Sequence, residues 1–249
     1  MKPRAAILLA GRIKGWQLCV KDFENAFLNY DYDIYCSLNC TEDDPDYLEF
    51  SNYKNVKKIK ATLTDSYVDY SSYYITQDHS VARSVSMFLH NKLAFDLIEE
   101  EYDVYIRARN DFHCSDISLD KNDNSRIPIL SKEELNRLWT PSSWQYGTYR
   151  FPINDQFAAS DYENMKKYCY LIDHLRELID SFPEHGKKFP EEFSNETALA
   201  MYVDKLNMKI SKFKFNYFLS ATRHPDADGE TKMWTFLAQM INTHGINVE

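Results

Sequence analysis

Ala5-Ala6-Ile7-Leu8-Leu9-Ala10 is a continuous apolar run that stops at Gly11, the pattern of a strand buried on both faces of a parallel or mixed sheet. A loop with Gly11, Arg12 and Gly15 follows. Gln17 to Tyr30 reads as a helix, with Leu18, Phe23, Ala26 and Phe27 largely on one side, and Tyr32 to Leu38 reads as a second strand. Strand, helix and strand in so short a span is one crossover unit, which predicts an α/β fold with helices flanking the sheet.

Working outward, Thr41 to Asp46 and Asp65 to Asp78 read as loops around a modest strand near Val56 to Leu63. Ser80 to Glu101 is predicted as a long helix, its Val81, Val85, Phe88, Leu89, Leu93 and Leu97 recurring mostly at three- and four-residue steps. Asp103 to Arg109 alternates: Val104, Ile106 and Ala108 on one face, Tyr105, Arg107 and Arg109 on the other. Asp111 joins the arginine face if the strand continues. Ile127 to Leu130 is expected as a short strand, and Ser131 to Glu134 has capping-box spacing. Trp139 to Phe151 is expected to be irregular and aromatic. A second capping box, Ser160 to Glu163, precedes a helix marked by Met165, Tyr168, Ile172, Leu175, Ile179 and Phe182. Ser194 or Asn195 is expected to cap a helix through Leu206, with a strand at Met208 to Phe215 and a terminal helix at Glu230 to Ile241. No linker or repeat divides the 249 residues, which predicts a single domain.

The 29 Lys plus Arg against 38 Asp plus Glu give a net charge of −9, so general attraction to nucleic acid is disfavoured. Aromatic residues make up 15% of the chain, which excludes a disordered class. No apolar run approaches the ~20 residues that span a bilayer, and the N-terminal run reads as a strand rather than a signal peptide. Five cysteines without a CxxC pair fit neither a disulfide framework nor a thiolate zinc site. A reducing compartment, the cytoplasm, is the expectation.

Arg107-Ala-Arg-Asn-Asp111 lies at the carboxyl end of its strand, where open α/β sheets bind ligands. A carboxylate there can hold a divalent cation, and arginines can neutralise phosphate or fork onto sugar hydroxyls. The alternative is a structural ion pair with Asp111 or with Glu99 to Glu101. Asn154-Asp155-Gln156 offers a carboxylate able to act as a general base or to anchor a polyol, or an ordinary turn before a helix. Gly11-Arg12 permits close backbone approach beside a cation, but lacks the GxGxxG and GxxxxGK[ST] spacings. His113, Cys114 and Asp116 lack metal-site spacing, Cys36 and Cys40 read as small core residues, and no GxSxG elbow occurs. The aromatics around Trp139, Trp144, Tyr146, Tyr149 and Phe151 can stack a sugar or pack in the core.

Together, four segments resemble a family of small nucleotide-sugar glycosyltransferases of bacteria and large DNA viruses. They are Ala5 to Trp16, with its Gly-Arg turn; the long helix leading into Tyr102-Asp-Val-Tyr-Ile-Arg-Ala-Arg-Asn-Asp111; Asn154-Asp155-Gln156-Phe157; and Asn195-Glu196, which is similar to an Asn-Pro-Glu helix start without the proline. The resemblance implies a GT-A-like, Rossmann-type mixed sheet flanked by helices. It implies a nucleotide-sugar-binding half over about residues 1–130 and an acceptor-side half over about 131–249. It also implies transfer of a sugar from a nucleotide-diphosphate donor to a hydroxyl of a glycan acceptor.

In that reading Asp111 stands in the Asp-x-Asp role, holding Mn²⁺ or Mg²⁺ against the diphosphate, and Arg109 and Asn110 replace the remainder of the pattern. Gly11, Arg12, Lys92, Arg107, Arg109 and Asp111 would bind the donor. Asn154, Gln156 and Glu196 would bind the acceptor, and Asp155 would be the catalytic base. With no second candidate nucleophile, inversion at the anomeric carbon is the expected course. The rival readings are a nucleotidyl- or phosphoryltransferase, which six glycines in the chain make hard to supply with a phosphate loop, and a non-catalytic carbohydrate-binding module.

Overall fold

The apolar run at the start of the chain is the centre of the sheet. A computed structural model of the protein describes residues 1–12, 16–109, 112–114, 126–141, 153, 155–182, 189, 192–213 and 217–219. Strand β1 (Arg4–Gly11) pairs in parallel with β2 (Asp31–Leu38) on one side and with β4 (Val104–Ala108) on the other. Strand β3 (Val56–Ala61) extends the sheet beyond β2, again in parallel. Beyond β4 come β7 (Ala158–Ser160), β6 (Leu138–Pro141) and β8 (Ile210–Phe213), giving a seven-stranded sheet in the order β3-β2-β1-β4-β7-β6-β8. Its strands come from both sides of residue 130. A separate two-stranded sheet joins β5 (Phe112–Cys114) to β9 (Tyr217–Leu219).

Strand alternation divides the core into two layers, one on each face. Ala6, Leu8 and Tyr105 face α3 (Ala82–Phe95), α4 (Tyr162–Cys169), α5 (Leu175–Ser181) and α6 (Asn195–Lys205), packing with Val85, Phe88, Met165 and Leu199. Ile7, Leu9 and Ile106 face α1 (Trp16–Ala26) and α2 (Pro45–Ser51), where Trp16 meets Phe23 and Phe50 edge-on with centroids 5.0 and 4.6 Å away. No helix among the described residues is long and apolar enough to cross a membrane. Among the described residues Cys36, Cys40 and Cys169 are free thiols, and Cys36 and Cys169 are buried.

Several expectations change. The helix at 80–101 ends at Phe95; Leu97 and Ile98 continue the apolar spacing because they pack on the core from the turn beyond it. The loop at 41–46 contains the start of α2, with Asp44 as N-cap accepting from the Asp46 amide and Pro45 at the first helical position. Ile127 to Leu130 is no strand. Ser131 and Glu134 do exchange capping-box hydrogen bonds, at 2.7 and 3.3 Å, around a single 3₁₀ turn at Glu134–Asn136. The cap of α4 is Asp161, not Ser160: Asp161 accepts from Asn164, while the Ser160 hydroxyl is used within the sheet, donating to the Arg137 carbonyl. Tyr170–His174 interrupts α4 and α5 as a 3₁₀ segment where one continuous helix was expected. The terminal helix at 230–241, and residues 142–151 of the aromatic stretch, lie outside the described residues.

Candidate active site

One strand's direction builds the site. Because β7 runs antiparallel to both β4 and β6, the residues that lead into it sit at the edge where parallel strands β1, β2 and β4 end. Ala158 pairs with Arg107, so the 155–157 turn, just ahead of β7, lies beside the residues that follow Arg107. Two segments far apart in sequence, 107–109 and 155–156, therefore meet at the carboxyl edge, which is where open α/β sheets place ligands.

Arg107 makes that meeting specific. It is only 2% exposed, and its guanidinium donates to the Asp155 main-chain carbonyl and, from Nε, to Asn91 Oδ1 on α3 at 3.3 Å. This corrects two expectations. Strand β4 is buried on both faces despite its apolar–polar alternation, and Arg107 is a buried brace of the 155 turn instead of a surface cation for phosphate. The alternative reading, an ion pair with the Glu99 to Glu101 run, is not met by Arg107. Glu99 pairs with Lys58, and Glu100 pairs with Arg4 at 3.0 Å and Lys57 at 2.9 Å, at the opposite end of β4.

The Asp155 carboxylate is 6% exposed and accepts a hydrogen bond at Oδ2 from Asn195 Nδ2, 2.9 Å away. Asn195 is the first residue of α6, held there by the Ser194 cap, whose hydroxyl accepts from the Thr197 amide at 3.2 Å. Next along the helix, Glu196 has its carboxyl raised above the usual range, by burial first and by the neighbouring Asp155 charge second. The Asp155 charge is thus felt by Glu196, and Gln156, next to Asp155 in the chain, is half-buried.

At the same edge β1 ends in Gly11, whose φ of +98° is the left-handed region that favours glycine; an ideal Cβ there would meet nothing within 4 Å, so open space lies over it. Its carbonyl accepts from the Asn39 amide at 2.8 Å, and Arg12 beyond it is exposed. The Asn39 side chain accepts from the Thr64 amide (3.1 Å) and donates to Ser86 (3.3 Å). Thr64 also meets Ser86 at 2.7 Å and His90 Nε2 at 3.1 Å, while His90 Nδ1 meets the Ser37 hydroxyl at 2.8 Å. His90 is fully buried, and burial takes its pKa down to about 4. This neutral polar cluster fastens the loop after β3, the end of β2 and α3 into one rim around Gly11.

Lys92 is not at this rim. Its ammonium lies 2.8 and 2.7 Å from the two oxygens of Asp173 and over the Tyr170 ring at 4.8 Å, on the side of α3 that meets the 170–174 segment. Arg109 continues past the end of β4 and is partly buried. Asp111 and Asn154 lie outside the described residues. Sequence reasoning did not find Asn91, His90 or the role of Asn195 as the partner of Asp155; only Asn195, in a helix-start motif, carried any signal. Among the described residues no three His, Cys, Asp or Glu side chains converge on a metal position.

No protein-family model matches the sequence, and no curated protein matches it. Among solved structures the chain is similar to the galactosyltransferase LgtC in complex with donor and acceptor sugar analogues (11% identity, 79% of this chain and 69% of that one, TM-score 0.46). It is also similar to mouse xyloside xylosyltransferase 1 (10% identity, 84% of each chain, TM-score 0.42). A third is a putative nucleotide-diphospho-sugar transferase of Desulfovibrio desulfuricans G20 (10% identity, 86% and 80%, TM-score 0.37). These are remote likenesses of chain trace.

Proposed function

We propose that the protein is a GT-A-like glycosyltransferase that moves a sugar from a nucleotide-diphosphate donor to a hydroxyl of a glycan acceptor. The observation that carries the reading is the junction at the carboxyl edge of the sheet, where Arg107 braces the Asp155 carbonyl and Asn195 holds the Asp155 carboxylate. In the transfer the acceptor oxygen attacks the anomeric carbon, its proton passes to Asp155, and the bond from that carbon to the diphosphate oxygen breaks. A single direct attack inverts the anomeric configuration. The open backbone at Gly11 and the cations of Arg12 and Arg109 suit the side where negative charge grows on the leaving diphosphate. We assign Glu196, Gln156 and Asn154 to binding the hydroxyl-bearing partner. Asp111 is the residue we assign to Mn²⁺ or Mg²⁺.

Thermal melting with UDP, GDP and dTDP, each with and without Mn²⁺, tests the reading. At least one nucleoside diphosphate is expected to raise the melting temperature, by about 2.7 kcal/mol of stabilisation at a hundred times its dissociation constant. Asp111→Ala should remove whatever part of that shift depends on Mn²⁺. Indifference to all three nucleotides contradicts a nucleotide-sugar transferase and favours a carbohydrate-binding module.

A further inference from the structure

Five side chains close a ring at the heart of the candidate site. Asn91 Oδ1 accepts from Arg107 Nε (3.3 Å), Arg107 donates to the Asp155 carbonyl, and Asp155 Oδ2 accepts from Asn195 Nδ2 (2.9 Å). Asn195 Nδ2 also lies 3.6 Å from the sulfur of Met87. Met87 is four residues before Asn91 on α3, hence on the same helix face, which completes the circuit.

Each amide in this ring has its orientation fixed by a charged neighbour. A guanidinium can only donate, so Asn91 must turn its oxygen toward Arg107 and its Nδ2 away. A carboxylate can only accept, so Asn195 must turn its nitrogen toward Asp155 and its Oδ1 away. Turning either amide over would exchange a charge-assisted hydrogen bond for a repulsion. The two atoms left over, Asn91 Nδ2 and Asn195 Oδ1, are both buried and have no hydrogen-bond partner among the described residues, and Asn91 as a whole is 1% exposed. Buried polar groups in folded proteins are rarely left unpaired. Here one orphan is a donor and the other an acceptor, and their amides are bonded to the two sides of the same Arg107–Asp155 junction. A hydroxyl is the group that accepts and donates at once.

We propose that Asn91 and Asn195 form a hydroxyl-binding subsite that clasps one hydroxyl of the transferred sugar, Asn91 Nδ2 donating to it and Asn195 Oδ1 accepting from it. The inference rests on the glycosyltransferase reading and adds the residues that select the sugar. The same ring that seats the hydroxyl also holds the Asp155 carboxylate, so recognition of the sugar and placement of the base share their side chains.

Asn91→Asp isolates the subsite: it keeps an oxygen for Arg107 and replaces only the orphaned amide nitrogen. The probes are UDP-, GDP- and dTDP-hexoses, the monodeoxy analogues of whichever binds the unmodified protein, and the corresponding nucleoside diphosphate, all titrated calorimetrically. One monodeoxy donor is expected to bind the unmodified protein about tenfold or more weakly. Asn91→Asp should weaken the intact donor by a similar factor, with no further loss on that monodeoxy donor and no change for the nucleoside diphosphate. Equal losses for donor and nucleoside diphosphate, or no loss for either, overturn the inference and assign the orphans to a structural water. Should Asn91→Asp fail to fold, the monodeoxy series on the unmodified protein decides: undiminished binding of every analogue overturns the subsite. Binding of nucleoside diphosphates but of no nucleotide hexose sinks the subsite while leaving a nucleotide site, whereas binding of neither removes the glycosyltransferase reading itself.

Discussion

Arg107 shows how one buried side chain can couple a strand to the turn that carries Asp155. Its hydrogen bonds go to a carbonyl and an amide oxygen, so truncation leaves two buried acceptors unpaired. Arg107→Ala should cost about 3 kcal/mol or more of stability, read as a lowered denaturant midpoint, and should release the Asp155 turn. His90 makes a separate prediction through pH. Its folded pKa of about 4 lies below the ordinary 6.5, so its contribution is fully present above pH 6.5 and is lost as pH falls toward 4. That difference corresponds to about 3 kcal/mol. Chemical denaturation between pH 7 and 4 should show that acid limb, and His90→Gln should flatten it. Glu196 has the opposite sign. Its folded pKa is raised, so it penalises stability increasingly as pH rises through and above the usual carboxylate range. Glu196→Gln should therefore melt higher than the unmodified protein at pH 7, and the difference should shrink toward pH 4.

At the level of helices and strands, the caps place the chemistry. Ser194 fixes the start of α6 and with it Asn195 and Glu196. Ser194→Ala should lose about 1 kcal/mol of stability, together with turnover, because the amide that holds Asp155 is then less well positioned. Asp161→Ala should cost a similar ~1 kcal/mol without comparable loss of turnover, since α4 begins at the far end of β7 from the 155 turn. These elements were unevenly legible in the sequence. Strands β1, β2 and β4 announce themselves because they are short apolar or alternating runs too brief for a helix and bounded by glycine or polar turn residues. Strand β7 does not: Ala158-Ala-Ser160 is short and small, and its pairing with Tyr105, Ile106 and Arg107 of β4 and with Trp139 of β6 gives it an identity. The Ser160 to Glu163 spacing misplaces the α4 cap by one residue because Ser160 is already committed to the sheet. In α3 the periodicity overruns Phe95 because apolar residues in a turn can pack on the same core as those in the helix.

Across the whole molecule, a mostly parallel sheet with one reversed strand brings residues 11, 107–109, 155–156 and 195–196 to one edge. The sequence supplied the candidates Gly11, Asp155 and Glu196. It could not supply their mutual placement, which depends on the direction of β7, nor show that Lys92 turns to Asp173 and that Arg107 is interior. The salt pairs of Arg4, Lys57 and Glu100 gather at the opposite edge and leave the carboxyl edge to the Asp155 group. The central claim is that this edge transfers a sugar with Asp155 as the base. Its most direct test is the rate of nucleoside diphosphate release from a nucleotide sugar at saturating donor and acceptor, for the unmodified protein and for Asp155→Asn. The account predicts a fall of about 10²- to 10⁴-fold with donor affinity retained; an Asp155→Asn protein that turns over at the unmodified rate would contradict it.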